Sequence, residues 1–228
     1  KCQILVNEKI DFNARYISSY YIDSNDKINS IGLYNAFFNN ENLYHAFYDE
    51  VSEQYIELIR KLDLNLILGP PGSGKTTTIC SRIINDIQDK KTIFVMCFTN
   101  RALDEIEQRL RHDIYFKNQR FEDIVYRFNQ KRQNNKELEN LSSKNIKVFL
   151  STVHGTKTQI IDSWKNDIDI CYIDEASQLN FTMCSNGFLA KKHILVGDYN
   201  QLSPLVPMNL SGKFDIEIVK KSFFEILW

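Results

Sequence analysis

Several features that mark particular classes of protein are missing from this 228-residue sequence. No apolar run approaches the roughly 18 residues that a membrane-spanning helix needs, so no transmembrane segment is predicted. No secretory signal peptide is predicted from the first residues of the sequence. The net charge is −1, so the overall charge does not indicate a nucleic-acid partner, and any basic surface must be local.

The five cysteines show neither paired spacing nor the spacing of a metal site. Three of them, Cys80, Cys97 and Cys171, lie inside apolar runs and are expected to be small buried hydrophobes in a reducing compartment. The protein is therefore expected to be intracellular, in the cytoplasm or the nucleus. Because the chain begins with Lys1 rather than Met, we expect it to be an excised piece of a longer protein.

The most informative stretch is LNLILGPPGSGKTTT, residues 64–78. Its apolar start predicts a buried strand, and the pattern Gly69-x-x-x-x-Gly74-Lys75-Thr76 then opens a helix, which is the context of a phosphate-binding loop. Glycines allow the backbone N–H groups to approach phosphate oxygens, and the N-terminus of the helix adds partial positive charge. The alternative is a glycine-rich turn that binds nothing.

Each residue type in this loop has a predicted role. Lys75 can reach the β- and γ-phosphates of ATP, and Thr76 can offer its hydroxyl to Mg²⁺. The predicted nucleotide-binding residues of the loop are Gly69, Pro70, Pro71, Gly72, Ser73, Gly74, Lys75, Thr76 and Thr77.

Five apolar segments predict strands: residues 64–68, 92–98, 146–150, 168–173 and 193–196. Helical periodicity is predicted for residues 51–62, for the segment after the loop as far as Gln88, and for a helix capped by Thr99 and Asn100. This alternation predicts an α/β fold with a parallel sheet that helices cover on both faces. The polar residues that follow the strands should converge, because ligands of such sheets bind at the carboxyl ends of the strands.

Two of these strand ends carry further candidates. Asp174 and Glu175 follow a buried strand, where Asp174 can hold Mg²⁺ and Glu175 can accept the proton of a water that attacks the γ-phosphate. The alternative for this acid pair is a helix N-cap. Gln201 follows the last strand and can sense the γ-phosphate or the attacking water, or can simply belong to a turn.

Two regions are harder to interpret. Residues 1–50 are rich in aromatics, which can stack on bases but more often belong to a core, and form a predicted N-terminal accessory region. A predicted basic helical insertion lies at about 107–145, and residues 107–147 contain ten Lys or Arg against six Asp or Glu. The insertion could contact a phosphate backbone or could be a solvated helical face.

Five segments in this order closely resemble the motifs of superfamily 1 helicases, in the branch of the nonsense-mediated-decay helicase. They are GPPGSGKT (69–76), FTNRALDEI (98–106), STVHGT (151–156), IDEASQ (173–178) and VGDYNQLSP (196–204). The final KSFFEIL, residues 221–227, is similar to a segment that follows the last of these motifs in that family.

This resemblance implies a RecA-like ATPase domain over residues 51–228, ATP and Mg²⁺ as cofactors, and single-stranded RNA or DNA as the track. It implies that Gln54 reads adenine, with an exposed helical residue as the alternative. It also places Thr99, Asn100, Ser151, Thr152 and His154 along the nucleic-acid backbone, with helix and turn caps as the alternative. The family has a second RecA-like domain, which is expected to begin near Trp228 and to supply arginine fingers.

The sequence thus predicts the first motor domain of a monomeric helicase or translocase with no membrane association. Lys75, Glu175 and Gln201 are its catalytic candidates, and Thr76 and Asp174 are its metal ligands. Without the second domain, the isolated chain is expected to bind nucleotide weakly and hydrolyse it slowly. Two alternatives are a nucleotide-switched binding module without motor activity and a degenerate, non-hydrolysing fold, the latter disfavoured by the intact Lys75, Thr76, Asp174 and Glu175.

Overall fold

The structure is a computed structural model that describes most of the predicted ATPase region and little outside it. The described residues are 5–7, 63–128, 145–155, 168–179, 183–184, 187, 190–198, 200–204 and 222–227. The predicted helix at 51–62, most of residues 1–50 and residues 129–144 of the basic insertion lie outside them. Among the described residues, no helix combines the length and apolarity that crossing a bilayer would require.

Within the described part of the chain, a seven-stranded sheet forms the centre of the fold. In chain order its strands are β1 (Leu5–Asn7), β2 (Asp63–Leu68), β3 (Ile93–Cys97), β4 (Val125–Arg127), β5 (Val148–Thr152), β6 (Ile170–Asp174) and β7 (Lys192–Gly197). Their order across the sheet is β1-β2-β7-β6-β3-β5-β4. The six strands from β2 to β4 in that order are parallel, and β1 pairs with β2 in the antiparallel sense.

The central strands are buried on both faces, as expected of a covered parallel sheet. In β3, Ile93, Val95 and Cys97 point to one apolar layer, whereas Phe94 and Met96 point to the other, because side chains alternate along a strand. The helices α1 (Lys75–Gln88) and α2 (Asn100–Arg111) cover the first layer. The second is covered in part by α3 (Phe223–Leu227) and by the residues around the short 3-10 helix Ala176–Gln178.

The helical segments follow from their apolar spacing. Helix α1 buries Ile79, Ile83, Ile84 and Ile87, which recur three and four residues apart. Helix α2 buries Leu103, Ile106 and Leu110 and is capped by Thr99, whose hydroxyl accepts a hydrogen bond from the Ala102 amide at 3.1 Å. Two further 3-10 helices, Ile114–Phe116 and Phe121–Asp123, lead from α2 into β4.

The five predicted strands are confirmed, with ends that differ by one or two residues, and so is the α/β class with a parallel sheet. The predicted burial of Cys80, Cys97 and Cys171 is confirmed as well, and Cys184 is also buried. The sequence did not reveal β1 or β4. Each has only three residues, which is too short for an apolar pattern to stand out, and β4 lies inside the predicted basic insertion.

A partly buried hydrogen bond joins the middle of β6 to α1. The hydroxyl of Tyr172, which is 1% exposed, donates to the half-buried carboxylate of Asp86 at 2.5 Å. Burial raises the pKa of Asp86, and the hydrogen bond from Tyr172 opposes that rise. The hydrogen bond from Tyr172 therefore stabilises the ionised form of the Asp86 carboxylate.

We expect Tyr172→Phe to lower the free energy of unfolding by about 1–2 kcal/mol, because the carboxylate loses its donor in a partly buried position. Urea unfolding near pH 7 measures the change. Tyr115→Phe is the control, since it removes a hydroxyl from a partly exposed tyrosine on the surface. An equal effect of the two substitutions would contradict a special role for the bond between Tyr172 and Asp86.

Candidate functional site: a phosphate loop and an acid pair at the strand ends

The phosphate loop, residues 69–76, connects β2 to α1. Gly72 and Gly74 have φ of +75° and +88°, a backbone region that glycine occupies at little cost. The Ser73 amide donates to the carbonyl of Pro70 at 3.1 Å, which closes a tight turn. These contacts bring the loop round to the N-terminus of α1, where unpaired N–H groups favour an anion.

The loop is tightly closed around Lys75. A Cβ added at Gly69 would lie 2.6 Å from both Lys75 Cγ and Ser73 Oγ, so a larger residue there would displace both side chains. The Lys75 ammonium donates to the carbonyl of Gly69 at 2.6 Å, and the carbonyl of Pro70 lies 3.5 Å away. The cation therefore already lies over the loop that the sequence predicts to bind phosphate.

The Ser73 hydroxyl oxygen is buried and has no hydrogen-bond partner within the described part of the chain. Buried polar groups are normally satisfied, so such an atom calls for an explanation. A phosphate oxygen in the loop would accept a hydrogen bond from this hydroxyl. The residues present therefore fit a phosphate-bearing ligand.

The acid pair lies at the end of β6. Asp174 is 3% exposed, and its carboxylate accepts a hydrogen bond from the Glu175 amide at 3.0 Å. Burial, with a smaller contribution from the nearby Glu175, raises the pKa of Asp174 to about 7, although the Glu175 amide and the Lys75 ammonium oppose the rise. A buried carboxylate of this kind is favoured as an anion by a neighbouring cation.

Glu175 adopts a left-handed conformation, with φ of 55°, which is uncommon for a residue with a side chain. Its carboxylate accepts a hydrogen bond from the Gln178 amide group at 3.2 Å, and the Gln178 backbone N–H donates to the Glu175 carbonyl at 2.9 Å. The turn therefore holds Glu175 on both its side chain and its backbone. Strained conformations of this type concentrate at functional sites.

Gly197, at the end of β7, connects the loop and the acid pair. Its carbonyl accepts a hydrogen bond from the Gly69 amide at 3.1 Å, at the start of the phosphate loop. A Cβ at Gly197 would lie 2.9 Å from the backbone nitrogen of Ser177, so the turn that follows Glu175 packs directly against β7. The separation of the two predicted motifs is thus fixed by backbone contact.

Gln201 is held by Asp198, a buried residue that the sequence analysis did not single out. The Gln201 side-chain amide donates to the Asp198 carboxylate at 3.3 Å, and the Asn200 backbone N–H donates to the other carboxylate oxygen at 3.0 Å. Asp198 is 4% exposed. Its position directly after a strand end, like that of Asp174, was the signal that could have identified it.

The residues predicted to line a nucleic-acid strand lie at the end of β5 or shortly after β3 and β5, which are adjacent in the sheet. Thr99 is exposed, but its hydroxyl oxygen caps α2, which is the alternative that the sequence left open. The exposed Asn100 accepts a hydrogen bond from the Arg127 guanidinium at 3.4 Å. Arg127, which also pairs with Asp104 and Glu107, was not predicted from the sequence.

The predicted residues at and after the end of β5 differ in accessibility. Ser151 is fully buried and donates to the carbonyl of Thr152 at 3.0 Å, so its hydroxyl does not face solvent. Thr152 is partly exposed, and His154 is exposed with its ring 6.2 Å from the ring of Phe98. The register pairs Cys97 of β3 with both Thr152 and Asp174.

Gln54 lies outside the described residues. The other predicted site residues follow the carboxyl ends of neighbouring parallel strands, from the phosphate loop after β2 to Gln201 after β7. Within the described ranges, no three His, Cys, Asp or Glu side chains cluster in the manner of an all-protein metal site. A Mg²⁺ ion bound with nucleotide does not need such a cluster, because it takes few protein ligands and keeps several waters or phosphate oxygens.

Comparisons with known proteins show which family this chain resembles. A family model described as an AAA domain matches residues 52–207. The DNA replication ATP-dependent helicase/nuclease dna2 of Schizosaccharomyces pombe is 32% identical over 184 residues, which cover 72% of this chain and 12% of that protein. The corresponding DNA2 protein of Xenopus laevis is 31% identical over 156 residues, or 63% of this chain and 15% of that protein.

The chain therefore spans about an eighth of the length of these curated relatives. Among solved structures, the UvsW helicase from bacteriophage T4 aligns with 60% of this chain and 46% of its own, at 10% identity and a TM-score of 0.44. The family match covers well over half of the chain and includes the phosphate loop, the acid pair and Gln201. The chain belongs to the AAA domain family and is a RecA-like ATPase domain of the superfamily 1 helicases.

Proposed function

We propose that this chain is an ATP-driven motor domain of a DNA helicase or translocase. The observation that carries the proposal is the phosphate loop, with its buried Ser73 hydroxyl, next to a strand end that presents Asp174 and Glu175. A phosphate-binding loop beside a buried carboxylate is the arrangement that nucleoside triphosphate hydrolysis requires. The names of the similar proteins supply the helicase activity as a hypothesis for this chain.

In this proposal the nucleotide contacts fall to residues 69–77, with Gln54 on adenine. Lys75 transfers its hydrogen bonds from the loop carbonyls to the β- and γ-phosphates, and Ser73 donates its buried hydroxyl to a phosphate oxygen. Thr76 and Asp174 hold the magnesium ion. When bound, Mg²⁺ offsets the negative charge of the phosphates, and a cation beside Asp174 favours its ionised form.

Glu175 is the proposed general base, and Gln201 the proposed γ-phosphate sensor. The Glu175 carboxylate is partly exposed, is oriented by Gln178 and so can accept a proton from an attacking water. Gln201 is oriented by Asp198 at the end of the neighbouring strand. Its amide can change partners when phosphate is present, so it can report hydrolysis to the adjoining surface.

The proposed DNA path crosses the ends of β3 and β5. Asn100, Thr152 and His154 can donate hydrogen bonds to phosphates without reading sequence. Ser151 is proposed to hydrogen-bond to the Thr152 carbonyl rather than to contact DNA, since its side chain is buried. DNA is favoured over RNA because the similar proteins are named for DNA replication.

Full activity is proposed to need a second RecA-like domain of the same monomeric protein. Arginine fingers that such domains supply contribute about 10³–10⁵ in rate in related phosphoryl chemistry. The predicted division into an accessory region at 1–50 and an ATPase domain at 51–228 stays part of this proposal. So does an intracellular, nuclear location, which fits a reaction on chromosomal DNA.

The proposal is tested by the ATPase rate of the full-length protein with and without single strands. We expect oligo(dT) to stimulate hydrolysis at least tenfold, and an RNA strand of the same length to stimulate it less. Equal stimulation by both strands would remove the preference for DNA. ATP turnover that no nucleic acid changes would favour the nucleotide-switched binding module instead.

A further inference from the structure

Arg109 of helix α2 contacts the first turn of α1, the helix that follows the phosphate loop. Arg109 donates from Nη1 to the hydroxyl oxygen of Thr77 at 3.1 Å. Its other edge, Nε and Nη2, donates to a single carboxylate oxygen of Glu105 at 3.1 and 3.0 Å. The guanidinium is therefore held in one orientation by a residue of its own helix and aimed at α1.

The sequence explains why these groups meet. Glu105 and Arg109 are four residues apart and so lie on one face of α2. That face lies against the start of α1, where Thr77 directly follows Thr76 and lies two residues after Lys75. Helix α2 thus contacts the first turn of α1 through Arg109, a side chain to which the sequence analysis assigned no role in the nucleotide site.

The direction of the hydrogen bond has a chemical consequence for Thr77. A hydroxyl group has one proton to donate and can accept on its oxygen. Because Arg109 can only donate, the Thr77 oxygen accepts, and its own proton remains available for an acceptor. At the N-terminus of α1 the acceptor expected beside the loop is an anion.

We propose that Arg109 is a positioning residue that orients the Thr77 hydroxyl to donate to a nucleotide phosphate. This inference rests on the nucleotide site proposed above. Glu105 fixes the guanidinium, Arg109 fixes the hydroxyl, and the hydroxyl contacts the ligand. The arginine acts through Thr77 and touches neither the attacking water nor the acid pair. Its loss therefore weakens nucleotide binding and leaves the chemical step unchanged.

The chain offers a closely matched control on the same helix. Arg111 is 44% exposed, compared with 46% for Arg109, and it also pairs with a glutamate four residues earlier, Glu107. Its second partner is Glu122 at 2.7 Å, and its guanidinium lies 4.1 Å from the centre of the Phe121 ring. Arg111→Ala thus removes a similar cation and similar ion pairs without touching α1.

The experiment titrates the full-length protein with a fluorescent, non-hydrolysable ATP analogue and Mg²⁺. We expect Arg109→Ala to raise Kd about three- to tenfold, the loss of one oriented hydrogen bond, and Arg111→Ala to leave Kd within twofold. Thr77→Val should match Arg109→Ala, and Thr77→Ser should keep the wild-type Kd. The double variant with Arg109→Ala and Thr77→Val should bind no more weakly than either single variant, because one contact is lost once.

Equal Kd values for Arg109→Ala and Arg111→Ala would overturn the inference, and so would fully additive losses in the double variant. Both Thr77 and Arg109 are exposed, so we expect the fold to tolerate each substitution. Failure of the proposed function has a different signature. In that case the wild-type protein would not bind the analogue, and Lys75→Ala would behave like wild type.

Discussion

Glu175→Gln will lower the nucleic-acid-stimulated ATPase rate of the full-length protein by about 10²–10⁴-fold, the range that general-base catalysis contributes. Glutamine keeps the size of the side chain and can still meet Gln178, but it cannot accept a proton at neutral pH. The left-handed backbone at Glu175 and its contacts with Gln178 do not need the charge, so the turn should persist. Steady-state phosphate release measures the rate.

Nucleotide affinity separates this effect from damage to the site. In the Glu175→Gln variant the Kd for an ATP analogue should stay within a few-fold of wild type, because Lys75, Thr76 and Asp174 are unchanged. Glu122→Gln is the matched control, as it neutralises an exposed glutamate whose partner is Arg111. A Glu175→Gln enzyme that still turned over at the wild-type rate would exclude Glu175 as the base.

Lys75→Ala is the second substitution with a large expected effect. It should weaken Mg²⁺-dependent binding of an ATP analogue by about 10- to 100-fold, the loss of a hydrogen bond between charged groups. The Lys75 ammonium already lies against the loop, 2.6 Å from the Gly69 carbonyl, where the phosphates are proposed to bind. Isothermal titration calorimetry measures the affinity.

The control for Lys75→Ala is Lys91→Ala, which removes an exposed lysine just before β3, at the amino ends of the parallel strands. The two variants lose the same charge, so a purely electrostatic effect of net charge would weaken both. Weakening confined to Lys75→Ala supports a direct contact with phosphate. Unchanged affinity in Lys75→Ala would mean that the nucleotide does not occupy the phosphate loop.

The parts of the fold that the sequence predicted are those with strong local signals. Strands β2, β3, β5, β6 and β7 are apolar runs bounded by polar turns, and α1 repeats isoleucines at helical spacing. The convergence of their polar ends follows from parallel pairing alone. Strand β4 was missed because its pairing with β5 is a long-range contact and a segment of three residues is too short to show a strand pattern.

The site residues likewise divide into those with a local sequence signal and those that long-range packing determines. Asp174 and Glu175 were placed by their position after a strand, but the left-handed turn at Glu175 depends on packing of the turn against Gly197. The burial of Ser151 follows from which face of β5 it occupies, and a register of that kind is set by neighbouring strands. Arg109 was missed because its contact with Thr77 spans two helices.

The most direct measurement is the structure of the full-length protein crystallised with Mg²⁺ and a non-hydrolysable ATP analogue. The account predicts that the phosphates contact the backbone amides of residues 69–76, that Lys75 reaches the terminal phosphates, and that the metal ion lies between Thr76 and Asp174. A nucleotide bound elsewhere on the protein, with Lys75 still on the Gly69 carbonyl and the Ser73 hydroxyl still without an acceptor, would contradict it.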